Sequence, residues 1–193
     1  MPFDQYAEVT DSALLVSFAN GDQMAARVLA TRLAPRALGQ AVRMLSDRAE
    51  AEDVVQESLL RLWKLAPEWR QGEAQVSTWL YRVVSNLCTD RLRRRKRNVD
   101  FDQIAEPEDD APSVADRMQT DLRMQALSDA LASLPDRQAQ AVALRHLEGL
   151  GNPEIAEIME ISVEAVESLT ARGKRALAAA LVGRKSELGF GDD

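Results

Sequence analysis

Residues 91–97 read RLRRRKR, six cations in seven positions, and residues 98–116 then carry seven acids and no cation. Guanidinium and ammonium groups at that density bind phosphate. A cation at a helix C-terminus also complements the helix dipole, but one or two suffice for that. The excess points to phosphate contacts, against the alternative of a solvated charged end. A second constellation lies in AEAEDVVQESLLRLWK (49–64). At helical spacing Asp53, Gln56, Glu57 and Lys64 share an outward stripe, while Val55, Leu59, Leu62 and Trp63 are available to a core. Acids and an amide at that spacing could form a metal site, a protein-docking face or a solubilising surface. A carboxylate di-metal bundle requires Glu-x-x-His pairs, and the single histidine, His146, has none. No Ser-His-Asp, Cys-His or Walker-type arrangement is present, so neither an enzyme nor a cofactor is expected.

The third constellation is GNPEIAEIMEISVEAVESLTARGKR (151–175). Asn152 is expected to cap a short helix with Pro153 in its first position. Ile155, Ala156 and Ile158 or Met159 then turn inward. EIS makes a tight turn, Ser162 caps again, and a longer helix starts at Val163, with Glu164 suited to its dipole. Two helices joined this way form a helix-turn-helix, or simply a helical hairpin.

The elements that must position these groups are helical throughout, with apolar residues three and four apart and almost no alternation. Breaks are expected at NGD (20–22) and at APEWRQGEAQ (66–75), and Pro35 should start or kink a helix. The segment 77–97 reads as a helix capped by Ser77 or Thr78. Along it Arg82, Asn86, Asp90, Arg93 and Arg97 share one face, with Arg94 and Arg95 adding charge to the last turn. Leu80, Val83, Val84, Leu87 and Leu92 supply the apolar side. Residues 99–117, with two prolines, seven acids and few apolar groups, read as a flexible linker. Helical periodicity returns at about residue 118. Trp79 reads as core, Cys88 as a small buried residue and His146 as a polar group at a helix end.

The chain has 193 residues and net charge −7. That charge is partitioned as +3 over 1–98, −6 over 99–120 and −4 over 121–193. The expected organisation is all-α: a helical bundle (1–98), an acidic linker (99–120), a helix-turn-helix domain (121–183) and a tail (184–193). One cysteine excludes an internal disulfide. MPFDQYAEVTDS lacks the charge and apolar run of a signal peptide, and no run approaches the roughly 20 apolar residues of a membrane span. A cytoplasmic protein without membrane insertion is expected.

In their order these motifs resemble the extracytoplasmic-function group of bacterial RNA polymerase sigma factors, over 11–98 and about 122–181. GDQMAARVLATRLAPRAL is similar to the family's opening helices, DRAEAEDVVQESLLRLW to its core-polymerase-binding helix and STWLYRVVSNLCTDRLRRRKR to its −10-reading segment. LPDRQAQAVALRHLEGLGNPEIAEIMEISVEAV is similar to its −35-reading domain. The resemblance implies that Asp53, Gln56 and Glu57 dock on the polymerase, that the helix from Thr78 faces the −10 element with Asn86 near an extruded base, and that PEWRQGEAQ forms that base's pocket. Arg82, Asp90, Arg93, Arg94, Arg95 and Arg97 complete the −10 set. Trp79 and Tyr81 could hold unstacked DNA. The implied partners are core RNA polymerase, promoter DNA and an anti-sigma factor. The acidic linker would contact polymerase, or screen the basic helix from nonspecific DNA.

The −35 set is Ser162, Glu164, Ala165, Glu167, Ser168, Arg172, Lys174 and Arg175, and here the chain departs from the family. Glu164 stands in place of a glycine, Ala165 of a threonine, Glu167 of a basic residue and Leu169 of an arginine. Glutamate can accept from cytosine N4 but repels phosphate and cannot make the bidentate arginine contact to guanine. Either −35 reading is altered and weaker, or the chain is a sigma-like mimic that binds a regulator without starting transcription.

Overall fold

The computed structural model describes residues 6–70, 72, 75–99 and 114–182. Among the described residues eight α-helices follow one another: α1 Asp11–Ala19, α2 Gln23–Leu45, α3 Arg48–Leu65, α4 Val76–Val99, α5 Val114–Ser133, α6 Asp136–His146, α7 Asn152–Met159 and α8 Val163–Val182. A 3-10 turn, Ala66–Glu68, follows α3, and the described residues contain no strand. The expected all-α, two-part architecture is present.

Side-chain caps set several helix starts. Thr10 accepts from the Ala13 N–H, Asp22 from Met24 and Ala25, and Asp47 from Glu50. Each satisfies a donor that has no partner inside the helix. Asp22 also accepts from the Tyr6 hydroxyl at 2.7 Å, and this bond, then the Ala25 N–H, holds its carboxyl below the usual range. The break between α2 and α3 falls at Ser46, whose left-handed φ of 53° ends the helix just before the Asp47 cap.

Several local expectations are corrected. Pro35 lies inside α2, so of the two expectations for it, a start or a kink, the start is overturned. α4 begins at Val76, so Ser77 and Thr78 lie inside its first turn and cap nothing. Gly151, not Asn152, precedes α7, and its N–H donates to the Glu154 carboxylate at 2.7 Å. Asn152 instead donates to Glu167 on α8. α5 starts at Val114, before the periodicity read from residue 118. The linker's residues 100–113 and the tail lie outside the described residues.

α2 is the axis of the first bundle, packed by α1, α3 and α4. Leu29, Leu33, Met44 and Leu45 meet Leu14, Leu15, Val54, Leu62, Val84 and Leu87 in one buried cluster. Trp79 packs against it, and Cys88 is fully buried within it, as expected. Burying a leucine or valine stabilises by about 1.5–3 kcal/mol. The buried side of α4 therefore fixes which of its residues face outward. In the second domain α6, α7 and α8 surround Leu144, Ile155, Ile158, Met159 and Val166. α8 crosses α6 at Gly173, where a Cβ would stand 2.5 Å from Val142 Cγ2 and 3.1 Å from the Gln138 carbonyl. Only glycine allows that approach.

The two domains touch. Leu131, Val142 and Ala143 join the buried cluster of the first bundle. The Ser46 hydroxyl donates to the Met124 carbonyl at 2.6 Å, and Ser128 to the Leu45 carbonyl at 3.0 Å.

Candidate polymerase and nucleic-acid interfaces

α3 buries Ala51, Val54, Val55, Ser58 and Leu62. That side turns Asp53 and Gln56 fully outward and leaves Glu57 half-buried. Glu57 pairs with Arg61 at 2.5 Å and, more loosely, with Arg91 at 4.0 Å. Leu60 completes the stripe one heptad beyond Asp53, and it is 53% exposed. Sequence reasoning missed it, because Leu59, Leu60 and Leu62 look equivalent there. An exposed leucine beside acids and an amide is the composition of a docking face. The cluster is no metal site: no group of three or more His, Cys, Asp or Glu among the described residues is placed to hold a metal ion.

α4 is buried along Leu80, Val83, Val84, Leu87, Cys88 and Leu92. Burial pushes the Cys88 thiol up to about 12, so it stays protonated at neutral pH and is a packing residue. On the outward side Asn86, Arg93, Arg94, Lys96 and Arg97 are exposed, and Arg82, Asp90 and Arg91 half-exposed. Asp90 accepts from Arg93 at 2.7 Å. Arg95, expected with the phosphate contacts, is turned inward. Its guanidinium donates to the Leu45 carbonyl at 2.8 Å and pairs with Glu50 at 2.9 Å and Asp47 at 3.6 Å. It ties α4 across the carboxyl end of α2, where the Leu45 carbonyl accepts from both this cation and the Ser128 hydroxyl. Of the loop expected to pocket a base, Gln71, Glu73 and Ala74 lie outside the described residues.

In the helix-turn-helix, Ile155, Ala156, Ile158 and Met159 are all buried. Glu160 turns the chain with φ 54°, and the Ser162 hydroxyl accepts from the Ala165 N–H at 3.2 Å. Glu164, Glu167, Ser168, Arg172, Lys174 and Arg175 are exposed on α8, and Ala165 is half-buried. Glu164's own N–H, then the Ser162 hydroxyl, hold its carboxyl below the ordinary range, so it is anionic at neutral pH. Arg172 bonds back to Ser168 at 3.0 Å, and Glu167 accepts from Asn152 at 3.3 Å. Leu169 packs against the second core and is not part of the outward surface.

A helical bundle with a cationic outer helix, packed against a helix-turn-helix, is an arrangement suited to binding nucleic acid. The chain matches sigma-70 region 2 over residues 29–98 and sigma-70 region 4 over residues 124–177. An ECF RNA polymerase sigma-E factor of Haemophilus influenzae is 30% identical over 177 residues, covering 86% of this chain and 93% of that protein. The ECF RNA polymerase sigma factor SigM of Mycobacterium tuberculosis is 33% identical over 172 residues, covering 89% and 84%. The chain belongs to the extracytoplasmic-function sigma factors. Its fold is similar to that of CnrH, solved in complex with the cytosolic domain of CnrY, with TM-score 0.61 and 24% identity over 90% of this chain and 97% of that one. A second likeness is to the sigma factor RpoE of Bartonella quintana, solved with the anti-sigma factor NepR, with TM-score 0.54 and 22% identity over 79% and 93%.

Proposed function

We propose a division of labour among the three surfaces of this sigma factor. The family's activity is to bind core RNA polymerase and direct promoter recognition and initiation; the residues below are assigned to its steps. Asp53, Gln56, Glu57 and Leu60 dock α3 on the core enzyme. The outward face of α4 engages the −10 region: Arg82, Asn86 and Asp90 lie beside the bases, and Arg93, Arg94 and Arg97 bind the phosphates. Arg95 holds α4 in position. Reading a base extruded from the stack is cheapest where the duplex is already opening, and phosphate contacts set the register for it. Ser162, Glu164, Ala165, Glu167, Ser168, Arg172, Lys174 and Arg175 present the −35-facing surface of α8. The observation that carries this reading is α4 itself: one side is locked into the core by six apolar residues, while four cations near its end face outward.

Control by an anti-sigma factor is part of the proposal, supported by the two similar folds solved with partner proteins. Action on polymerase places the chain in the cytoplasm, and among the described residues no helix is long and apolar enough to cross a membrane. Protection mapping of the holoenzyme on a selected promoter tests the assignment. Two patches are expected, and Asn86→Ala should erase the downstream one alone. Glu164→Gln with Glu167→Gln should strengthen upstream protection by several-fold, because two anions leave a surface facing phosphates. Unchanged upstream protection would place α8 away from DNA.

A further inference from the structure

α1 contributes to none of the three surfaces, and the sigma-70 region 2 match begins only at residue 29. Yet α1 and the residues before it are fastened firmly to the bundle. Arg32 on α2 donates to the carbonyls of Tyr6 at 2.6 Å and Val9 at 2.7 Å, and to the Asp11 carboxylate at 3.1 Å. A guanidinium shared among fixed acceptors is a rigid fork. Leu14 and Leu15 are fully buried, and Phe18 meets Trp63 of α3 edge to face, with ring centroids 5.1 Å apart.

What this anchored helix offers outward is one bond. Ser12 lies in the first turn of α1, and its hydroxyl accepts from the Trp69 indole N–H at 2.8 Å. At Trp69 the chain leaves the 3-10 turn. Its N–H still donates to the Ala66 carbonyl at 3.2 Å, while its ψ of 125° is extended. Its orientation therefore sets the direction in which Arg70 and the loop beyond depart. A half-buried indole presents an apolar ring and one polar tip. The ring packs on the first core, and the bond to Ser12 fixes its rotation. The other end of the loop is set by burial, because Val76 is 2% exposed and opens α4.

We propose that Ser12 and Trp69 are positioning residues for base selection at the −10 element: α1 braces the entrance of the loop read above as the pocket for the extruded base. The proposal rests on that reading of the loop. Neither residue touches DNA; both act through the loop they hold. Specificity is a difference between the affinities for right and wrong bases. A loop fixed at both ends is pre-organised for one base. A loosened entrance accommodates the others more readily, and the difference narrows.

Run-off initiation by holoenzyme reconstituted with core polymerase measures that preference, on one selected promoter carrying each base in turn at the extruded position. Ser12→Ala and Trp69→Phe each remove the bond and keep the packing. Each should narrow the ratio between the preferred base and the next by about three- to tenfold, the worth of one hydrogen bond. Core association and the salt slope should not move, since neither residue lies in those surfaces. Ser12→Thr keeps the hydroxyl and should retain the wild-type ratio. Ser12→Ala combined with Trp69→Phe should be no worse than either alone. Equal loss on every base would make the bond merely structural, and an unchanged ratio would mean that the loop entrance is set elsewhere; either result overturns the proposal. Should Trp69→Phe fail to fold, Ser12→Ala and Ser12→Thr decide on the same ratio. Holoenzyme in which a glycine-serine stretch of equal length replaces residues 70–75 is assayed alongside. If that exchange leaves the ratio untouched, the reading of the loop as a base pocket falls, and the proposal with it. If it flattens the ratio while Ser12→Ala does not, the brace alone is refuted.

Discussion

Asp53→Lys with Glu57→Lys leaves the protein folded and abolishes its association with core RNA polymerase. Asp53 is exposed and pairs with nothing in the bundle, and Glu57 gives up one i,i+4 pair and a 4.0 Å contact. Surface pairs of that kind contribute about 0.3–0.5 kcal/mol, so melting should be nearly unchanged. Docking is another matter. Removing one partner of a charge pair desolvated at an interface costs about 2–5 kcal/mol, and reversal adds repulsion. Two reversals correspond to at least about 10³-fold weaker binding. Leu60→Ala should weaken association through lost apolar contact, again without a change in melting, because the side chain is already half in water. Titration of labelled core polymerase with each variant checks both. Unaltered binding by the double reversal would remove α3 from the interface.

Arg93→Ala, Arg94→Ala and Arg97→Ala together flatten the salt dependence of promoter complexes. Each phosphate neutralised contributes about 0.7–0.9 to the slope of log K against log salt. Three lost contacts lower the slope by about 2–3, which at 0.1 M salt is a loss on the order of 10²–10³-fold relative to extrapolation at 1 M. All three side chains are exposed, so the fold should not notice. Arg95→Ala is the contrasting case. It removes the bond to the Leu45 carbonyl and the pairs with Asp47 and Glu50, so it should cost about 1–3 kcal/mol of stability and leave the slope nearly intact. Binding of the holoenzyme measured from low to high salt, with thermal melting of the free protein, separates the two. A triple variant with an unaltered slope would mean that this helix end is merely solvated.

The contrast between Arg95 and its neighbours shows where sequence reading reaches and where it stops. The phase of α4 was legible because Leu80, Val84, Leu87 and Leu92 recur at helical spacing and can point only one way. Within RLRRRKR, however, nothing local distinguishes one arginine from the next. The inward turn of Arg95 depends on α2 ending at Leu45 and on Asp47 and Glu50 beginning α3, which are tertiary facts. The same limit hid Leu60 among three leucines. The ends of helices were legible where a cap was decisive, as at Ser162, and misread where two candidates stood side by side, as at Gly151 and Asn152. Asp47 with Glu50 three residues on is a start signal that was present and could have placed the α2–α3 break.

Contacts between the two domains were beyond reach. Arg43 and Glu148 are 105 residues apart, and nothing local to either marks it as the other's partner. What the sequence did carry was the imbalance, +3 against −4, without its meaning. In the structure, acids of the second domain meet cations of the first, and the opposite signs become complementary surfaces. The acidic surface of α8 was also legible, since Glu164 and Glu167 are both exposed as their spacing requires. Leu169, counted among the departures from the family's recognition helix, is partly buried and packs against the second core.

The central claim is that this chain brings polymerase to promoters. Its most direct test is run-off transcription by purified core RNA polymerase on fragmented genomic DNA, with and without the protein. Discrete transcripts that require the protein, and disappear with Asp53→Lys and Glu57→Lys, are the expected result. Stable, folded protein that neither associates with core polymerase nor yields any new transcript would contradict the account.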